Sequence, residues 1–361
     1  MHNKYNIKEI NYIKGIAILL VFIGHAATPS FLERPYFYEF IVQLIYSCHM
    51  PLFFLVSGFL SYKVIDMNLK ENYFNFVKAK FYRLAVPFLT ISFITNLMVL
   101  ILMFLTNTPT TIHSLIDMIK TVFLYPENGV MGALWFLYTL FIISAISPII
   151  TKLPVKITLT LALLLNLLVP QYKNFLAVSR ISFFLVYFLI GLYFRKYCFN
   201  NKEINIRNIT TFKKVTLYLL SLVCIPSYSY IMANQIHIHR YILNPLRFLC
   251  GLLGMILILV FIEKICNLRI FVKTVSFLWK HSLDIYLLSW FFQIASMILI
   301  NNILKIDNYN IFFISNMLIG SLCIPFSLYI LRRFRILKFL FLGENSENNL
   351  SINIKSLSFN N

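Results

Sequence analysis

Few residues in this chain have side chains able to do chemistry. Two of them share the apolar stretch Lys14-Gly-Ile-Ala-Ile-Leu-Leu-Val-Phe-Ile-Gly-His25, which carries no other charged group between them. On a helix, this separation gives about three turns and about 16 Å of rise, so both groups fall on one face at different depths. A second imidazole follows in Tyr46-Ser-Cys-His49-Met-Pro-Leu-Phe-Phe-Leu-Val-Ser-Gly58. Imidazole takes a proton from a hydroxyl near neutral pH, which is general-base chemistry. An ammonium group at Lys14 suits the anionic end of a cosubstrate whose reactive end reaches toward His25. Spacing alone leaves a second reading open, in which Lys14 snorkels to a membrane surface and His25 hydrogen-bonds a neighbouring helix.

The elements that must position these groups follow from composition. The chain has 361 residues, of which 59% are hydrophobic and only 12% charged, with a mean hydropathy of +0.77. Soluble domains carry about 25% charged residues, so the excess apolar surface calls for lipid. A spanning helix needs about 20 mostly apolar residues. Ten such stretches are expected, at 11–28, 40–62, 84–105, 132–151, 156–170, 180–199, 214–233, 242–262, 281–302 and 309–331, the fifth being short. A weaker stretch from Ile112 to Tyr125 is expected to lie in the membrane interface. Of the 32 Lys and Arg residues, 25 fall on the side that holds both termini, and a basic excess marks the cytoplasmic side. The expected fold is therefore all-α: a polytopic membrane helix bundle of ten spans with both termini cytoplasmic. Residues 1–341 would form the membrane domain and 342–361 a polar tail.

The same composition excludes other classes. The net charge of +19 is dispersed in short clusters between apolar runs, unlike the basic face of a nucleic-acid binder, so no nucleic-acid partner is expected. Ten glycines contain neither a dinucleotide fingerprint nor a phosphate loop. The six cysteines are far apart, without a C-x-x-C pair or interleaved histidines, so no metal site is expected.

The second span narrows the chemistry. Running inward from the outer side, it places His49 at a depth near that of His25. Pro51 removes a backbone hydrogen bond, and Ser57-Gly58 permits close helix contact. Lys14-Gly-Ile-Ala through His25, followed by His49-Met-Pro-Leu-Phe-Phe-x-x-Ser57-Gly58, resembles the integral-membrane acyltransferase-3 family of bacterial surface-sugar O-acetyltransferases. Tyr82-Arg83-Leu-x-x-Pro87, Ala133-Leu-Trp135-Phe-Leu and Ser282-Leu-Asp-Ile-Tyr286-Leu resemble its later segments, so the resemblance spans about residues 9–331.

The resemblance implies that Lys14 and His25 serve acyl transfer in a bacterial inner membrane, with acetyl-CoA or another acyl-CoA as co-substrate and a glycan or lipid-linked sugar as acceptor. Two departures stand out. Arginine is commoner than lysine at position 14, and lysine lacks the bidentate fork. Ser289 stands where many relatives have histidine, so no role of that histidine carries over.

Other candidates surround this pair. Arg83, beside Lys78 and Lys80, suits the phosphates of acyl-CoA or serves as a basic anchor. His49 would orient His25 or supply an oxyanion donor. Asp284 and Tyr286 would hold substrate or orient a basic group, with Arg247 or Lys280 as partner for the carboxylate. Arg180, Arg247 and the His237-x-His239-Arg240 loop fall on the outer side, where an anionic or lipid-linked sugar would bind. Trp135 packs, belts the membrane or stacks on a sugar. Cys48 is a possible acyl-accepting nucleophile, although direct transfer is simpler. The alternative to an acyltransferase is an exporter or flippase for a polysaccharide intermediate, which would call for repeated halves; none is evident.

Overall fold

Apolar stretches of about 20 residues leave the backbone no partner but itself in lipid, so they fold as helices. The computed structural model describes residues 7–27, 32–106, 115–170, 175–199, 211–265 and 268–344, and these contain helices and no strand. The α-helices are α1 (Ile7–Ala26), α2 (Tyr36–Leu60), α3 (Leu69–Lys80), α4 (Val86–Thr106), α5 (Leu115–Phe123), α6 (Trp135–Ile150), α7 (Val155–Leu168) and α8 (Val178–Tyr193). They continue with α9 (Thr211–Ala233), α10 (Arg240–Ile265), α11 (Arg269–Lys280), α12 (Ser282–Met297), α13 (Tyr309–Ser321), α14 (Cys323–Tyr329) and α15 (Arg335–Leu342). Among the described residues, eight stretches of helix are long and apolar enough to cross a membrane, and two shorter apolar ones, Ile10–Ala26 and Val155–Leu168, fall at the other two of the ten expected positions. The protein is an all-α polytopic membrane bundle.

α2 is the hub, packed against α1, α8, α9 and α10. Its closest approach is to α8 and depends on two glycines. A Cβ at Gly58 would lie 1.9 Å from the Phe188 carbonyl oxygen, and one at Gly191 would lie 2.0 Å from that of Leu55. Small residues let two backbones meet where no hydrophobic drive between helices exists in lipid. Phe54 then stacks on Phe184 with centroids 4.4 Å apart.

Where the structure departs from the sequence expectation, helices run on past the apolar run. The third span is continuous with α3 through a π-helical segment, Phe81–Ala85, so it begins at Leu69 rather than near 84. The Lys and Glu residues of α3 lower hydropathy without breaking the helix, and the Asn68 side chain caps it by accepting from the Lys70 N–H. α5 occupies part of the expected interfacial stretch; residues 112–114 lie outside those described.

α11 has no counterpart among the expected spans. It is amphipathic, buries Val275 and packs along α1. A Cβ at Gly15 would lie 2.5 Å from the Val275 carbonyl oxygen, so only glycine admits this contact. α15 brings the chain back to α4, and Leu342 is fully buried. Residues 345–361, most of the expected tail, lie outside the described residues.

Candidate active site

α1 carries Lys14 near its start and His25 near its end, so the bundle has a Lys14 end and a His25 end. At the His25 end, carbonyls of the last turns of α1 accept hydrogen bonds from side chains of α12 and α13. Gln293 Nε2 donates to Phe22 O at 3.3 Å, Asn316 Nδ2 to Ala26 O at 2.9 Å, and the Tyr309 hydroxyl to Ala27 O at 2.5 Å. Three buried side chains thus fix the helix terminus that carries His25.

His25 and His49 line one cavity of about 250 Å³. The Tyr46 ring contacts both imidazoles, with centroids 6.3 Å from His25 and 5.1 Å from His49. Gly24 leaves room for it, since a Cβ there would lie 2.9 Å from the Tyr46 ring. His49 Nδ1 lies 2.9 Å from Ile45 O. A carbonyl only accepts, so Nδ1 carries the proton, and in the neutral ring Nε2 keeps its lone pair. Neutral His49 is therefore an acceptor at Nε2; the oxyanion-donor role expected from the sequence would require the imidazolium. Pro51, also in the cavity wall, has no N–H to give the Ser47 carbonyl one turn back, and Ser47 lines the same cavity.

The opposite wall is cationic and aromatic. The Arg180 guanidinium lies 4.8 Å from the Trp135 ring centroid and pairs at 3.2 Å with the buried carboxylate of Glu127. Trp135 in turn stacks on Phe184. Arg247 lies over the Phe183 ring at 4.3 Å. Trp135 is thus a cavity wall covered by a guanidinium.

The Lys14 end collects a second set of cations. Lys14, Lys80 and Arg83 lie within electrostatic reach of one another, and Lys80 Nζ donates to Ser61 Oγ at 3.3 Å. Here carboxylates answer the charge. Glu344 is 3.3 Å from Arg83, 3.4 Å from Arg332 and 3.2 Å from Lys338. Burial alone would raise the Glu344 carboxyl, but the charges of Arg332, Lys338 and Arg83 outweigh it and hold it below its ordinary value. The turn that delivers Glu344 has Gly343 at φ +64°, where a Cβ would lie 2.1 Å from Tyr82 O.

Asp284 also lies at this end, and its partner is Arg332 rather than Arg247 or Lys280. Arg332 donates from Nη2 to Oδ1 at 3.0 Å and from Nε to Oδ2 at 3.1 Å, joined by Ser327 Oγ at 3.0 Å and His281 Nδ1 at 3.1 Å. A fork-to-carboxylate pair inside four contacts is a structural clasp between α12 and the segment after α14. Tyr286 is buried outside the cavity lining, and its hydroxyl donates to the carbonyl of Ala133, which does line it.

The structure thus brings His25, His49, Trp135 and Arg247 together and gathers Lys14 with Arg83 at the other end. Asp284 and Tyr286 belong to neither group's lining. Arg180, expected on the outer side, lines the cavity with Tyr46; Tyr46 and Glu127, the carboxylate behind Arg180, were not singled out from the sequence. A polar Tyr two residues before a Cys-His and a lone Glu ahead of an apolar run were the available signals. Ile18 and Val21, both buried on α1, separate the two levels, and Lys14 is not among the cavity's lining residues.

An all-α membrane bundle with paired imidazoles in an internal cavity and a cation cluster three helical turns away defines a class: polytopic membrane proteins with ionisable groups enclosed within the helix bundle. The family model described as "Acyltransferase domain", that of the acyltransferase-3 family, matches residues 7–330, and the chain belongs to that family. It is a multi-pass membrane acyltransferase. Neither a curated protein nor a solved structure matches the chain.

Proposed function

We propose that this protein is an O-acyltransferase of the bacterial inner membrane. It moves an acyl group, acetyl being the simplest, from acyl-CoA to a hydroxyl of a cell-surface or lipid-linked glycan. The observation that carries the reading is the shared cavity: two imidazoles face one void inside an otherwise apolar bundle. Ionisable groups are expensive there and mark function.

In this reading the Lys14 end faces the cytoplasm, in keeping with the basic excess on that side. Lys14, Lys80 and Arg83 hold the phosphates of acyl-CoA, and the thioester extends along α1 past Ile18 and Val21 into the cavity. His25 takes the proton from the acceptor hydroxyl as its oxygen attacks the thioester carbonyl. The tetrahedral intermediate collapses with loss of the coenzyme A thiolate, which takes the proton back from His25 to leave as free thiol. His49 accepts a hydrogen bond at Nε2 from a second hydroxyl of the acceptor or from the neighbouring ring, and so aligns the attack. Enclosure of the thioester by packed helices limits its hydrolysis.

The test is acyl transfer from labelled acetyl-CoA to cell-envelope glycan in membranes holding His25→Ala. General-base removal is expected to cost about 10²–10⁴-fold in rate. Full transfer by the folded variant would end the assignment of His25.

A further inference from the structure

Two guanidinium groups face the cavity, and only one has a carboxylate. Arg180 is neutralised by Glu127 at 3.2 Å. Arg247 meets the face of Phe183 at 4.3 Å, and among the described residues no Asp or Glu pairs with it. The cavity lining contains no acidic side chain. Arg247 also lies within electrostatic reach of Arg180, a second cation that repels rather than balances it. A guanidinium stays charged at any pH the protein meets. Inside a membrane bundle that charge normally finds a counter-charge.

Arg247 has little freedom to find one elsewhere. α10 is fixed on both sides of it: Asn244 Nδ2 donates to Leu167 O at 2.9 Å, and the Tyr187 hydroxyl donates to Phe248 O at 3.3 Å. One turn on, a Cβ at Gly251 would lie 2.7 Å from the Tyr187 hydroxyl and 3.0 Å from Pro51, so α10 is pressed against the helix that carries His49. The cation is held beside the imidazoles, in a cavity of about 250 Å³. Sites for drug-sized ligands occupy about 300–1,000 Å³, so this one suits a single sugar ring rather than a chain.

We propose that the acceptor is an anionic sugar, carrying a carboxylate or phosphate near the reacting hydroxyl, and that Arg247 is the residue that selects it. This rests on the acyltransferase reading for its consequence but not for its binding chemistry. The missing counter-charge arrives with the substrate. Its anionic group docks on Arg247 and thereby presents a neighbouring hydroxyl to His25 and His49. A neutral sugar of the same size leaves Arg247 unpaired and gains no such anchor. A carboxylate engages the guanidinium fork bidentately, and a phosphate does the same.

The experiment uses the full-length protein in lipid nanodiscs with Trp279→Phe and Trp290→Phe, which leaves Trp135, in the cavity wall, as the sole tryptophan. Methyl glucuronide, glucose 1-phosphate and methyl glucoside are titrated without acyl-CoA while Trp135 emission is followed. At least one anionic probe is expected to bind about tenfold or more tightly than the neutral glucoside, and the stronger of the two identifies carboxylate or phosphate. Arg247→Gln should abolish the preference, and Arg247→Lys should keep part of it. In acetyl transfer, Arg247→Gln should raise KM for the anionic acceptor much more than it lowers kcat. Equal binding of all three probes, or a preference that survives in Arg247→Gln, overturns the proposal. Transfer to the neutral sugar alone would overturn it while leaving the acyltransferase intact. Anion-selective binding that depends on Arg247, found with no acetyl transfer, would uphold the anion site and count against the acyltransferase.

Discussion

The two ends of the bundle solve the same electrostatic problem differently. At the Lys14 end, Arg83, Arg332 and Lys338 converge on Glu344, and Arg332 also clasps Asp284, so cations are answered by the chain's own carboxylates. In the cavity at the His25 end, aromatic faces do much of that work: Trp135 under Arg180 and Phe183 under Arg247, with Glu127 pairing Arg180 and, outside the cavity lining, Glu39 pairing Arg34. A ring face stabilises a cation without neutralising it, by about 0.5–2 kcal/mol. The Glu344 and Asp284 pairs at the Lys14 end therefore tie helices together, and the His25 end leaves the Arg247 charge available for a ligand.

The contrast can be broken by substitution. The largest effect is expected from His25→Ala, with transfer falling about 10²–10⁴-fold and melting temperature in detergent nearly unchanged. A large loss of melting temperature instead would make the His25 end structural after all. Asp284→Asn should behave in the opposite sense. It strips the charge from a buried partner of Arg332 and should cost about 3 kcal/mol of stability, read as a lowered melting temperature. Retained stability with lost transfer would move Asp284 into the chemistry.

Gly58→Ala tests the scaffold between the ends. Its Cβ would meet the Phe188 carbonyl oxygen at 1.9 Å, so α2 and α8 must separate. The expected cost is about 1–3 kcal/mol, with the α2 side chains of the cavity displaced; a variant as stable and active as the parent would show that the contact is slack.

The smallest effect sharpens the account of the Lys14 end. Because the Glu344 carboxyl is held below its ordinary value of about 4.5 when folded, its contribution is complete above that value and fades as pH falls through the lower folded one. Glu344→Gln should therefore lower stability slightly at neutral pH and flatten the acid limb of the stability profile below about pH 4.5. The same acid limb in both proteins would remove Glu344 as its source.

Much of the architecture was written in the sequence because it depends on local composition. Long apolar runs must be helices in lipid, whatever they pack against, and all ten runs are helical. Gly58 announced a close helix contact by its size, and the eleven-position step from Lys14 to His25 set their separation along one helix. The tertiary structure alone decided who meets whom. Asp284 took Arg332 from far along the chain, Glu344 closed a cation cluster built around Arg83, and Glu127 claimed Arg180 while leaving Arg247 to Phe183. Pairing of this kind depends on how helices distant in sequence rotate and stack. No local pattern encodes that rotation, because each cation has several acids within a plausible span and only the packed bundle brings one of them within reach.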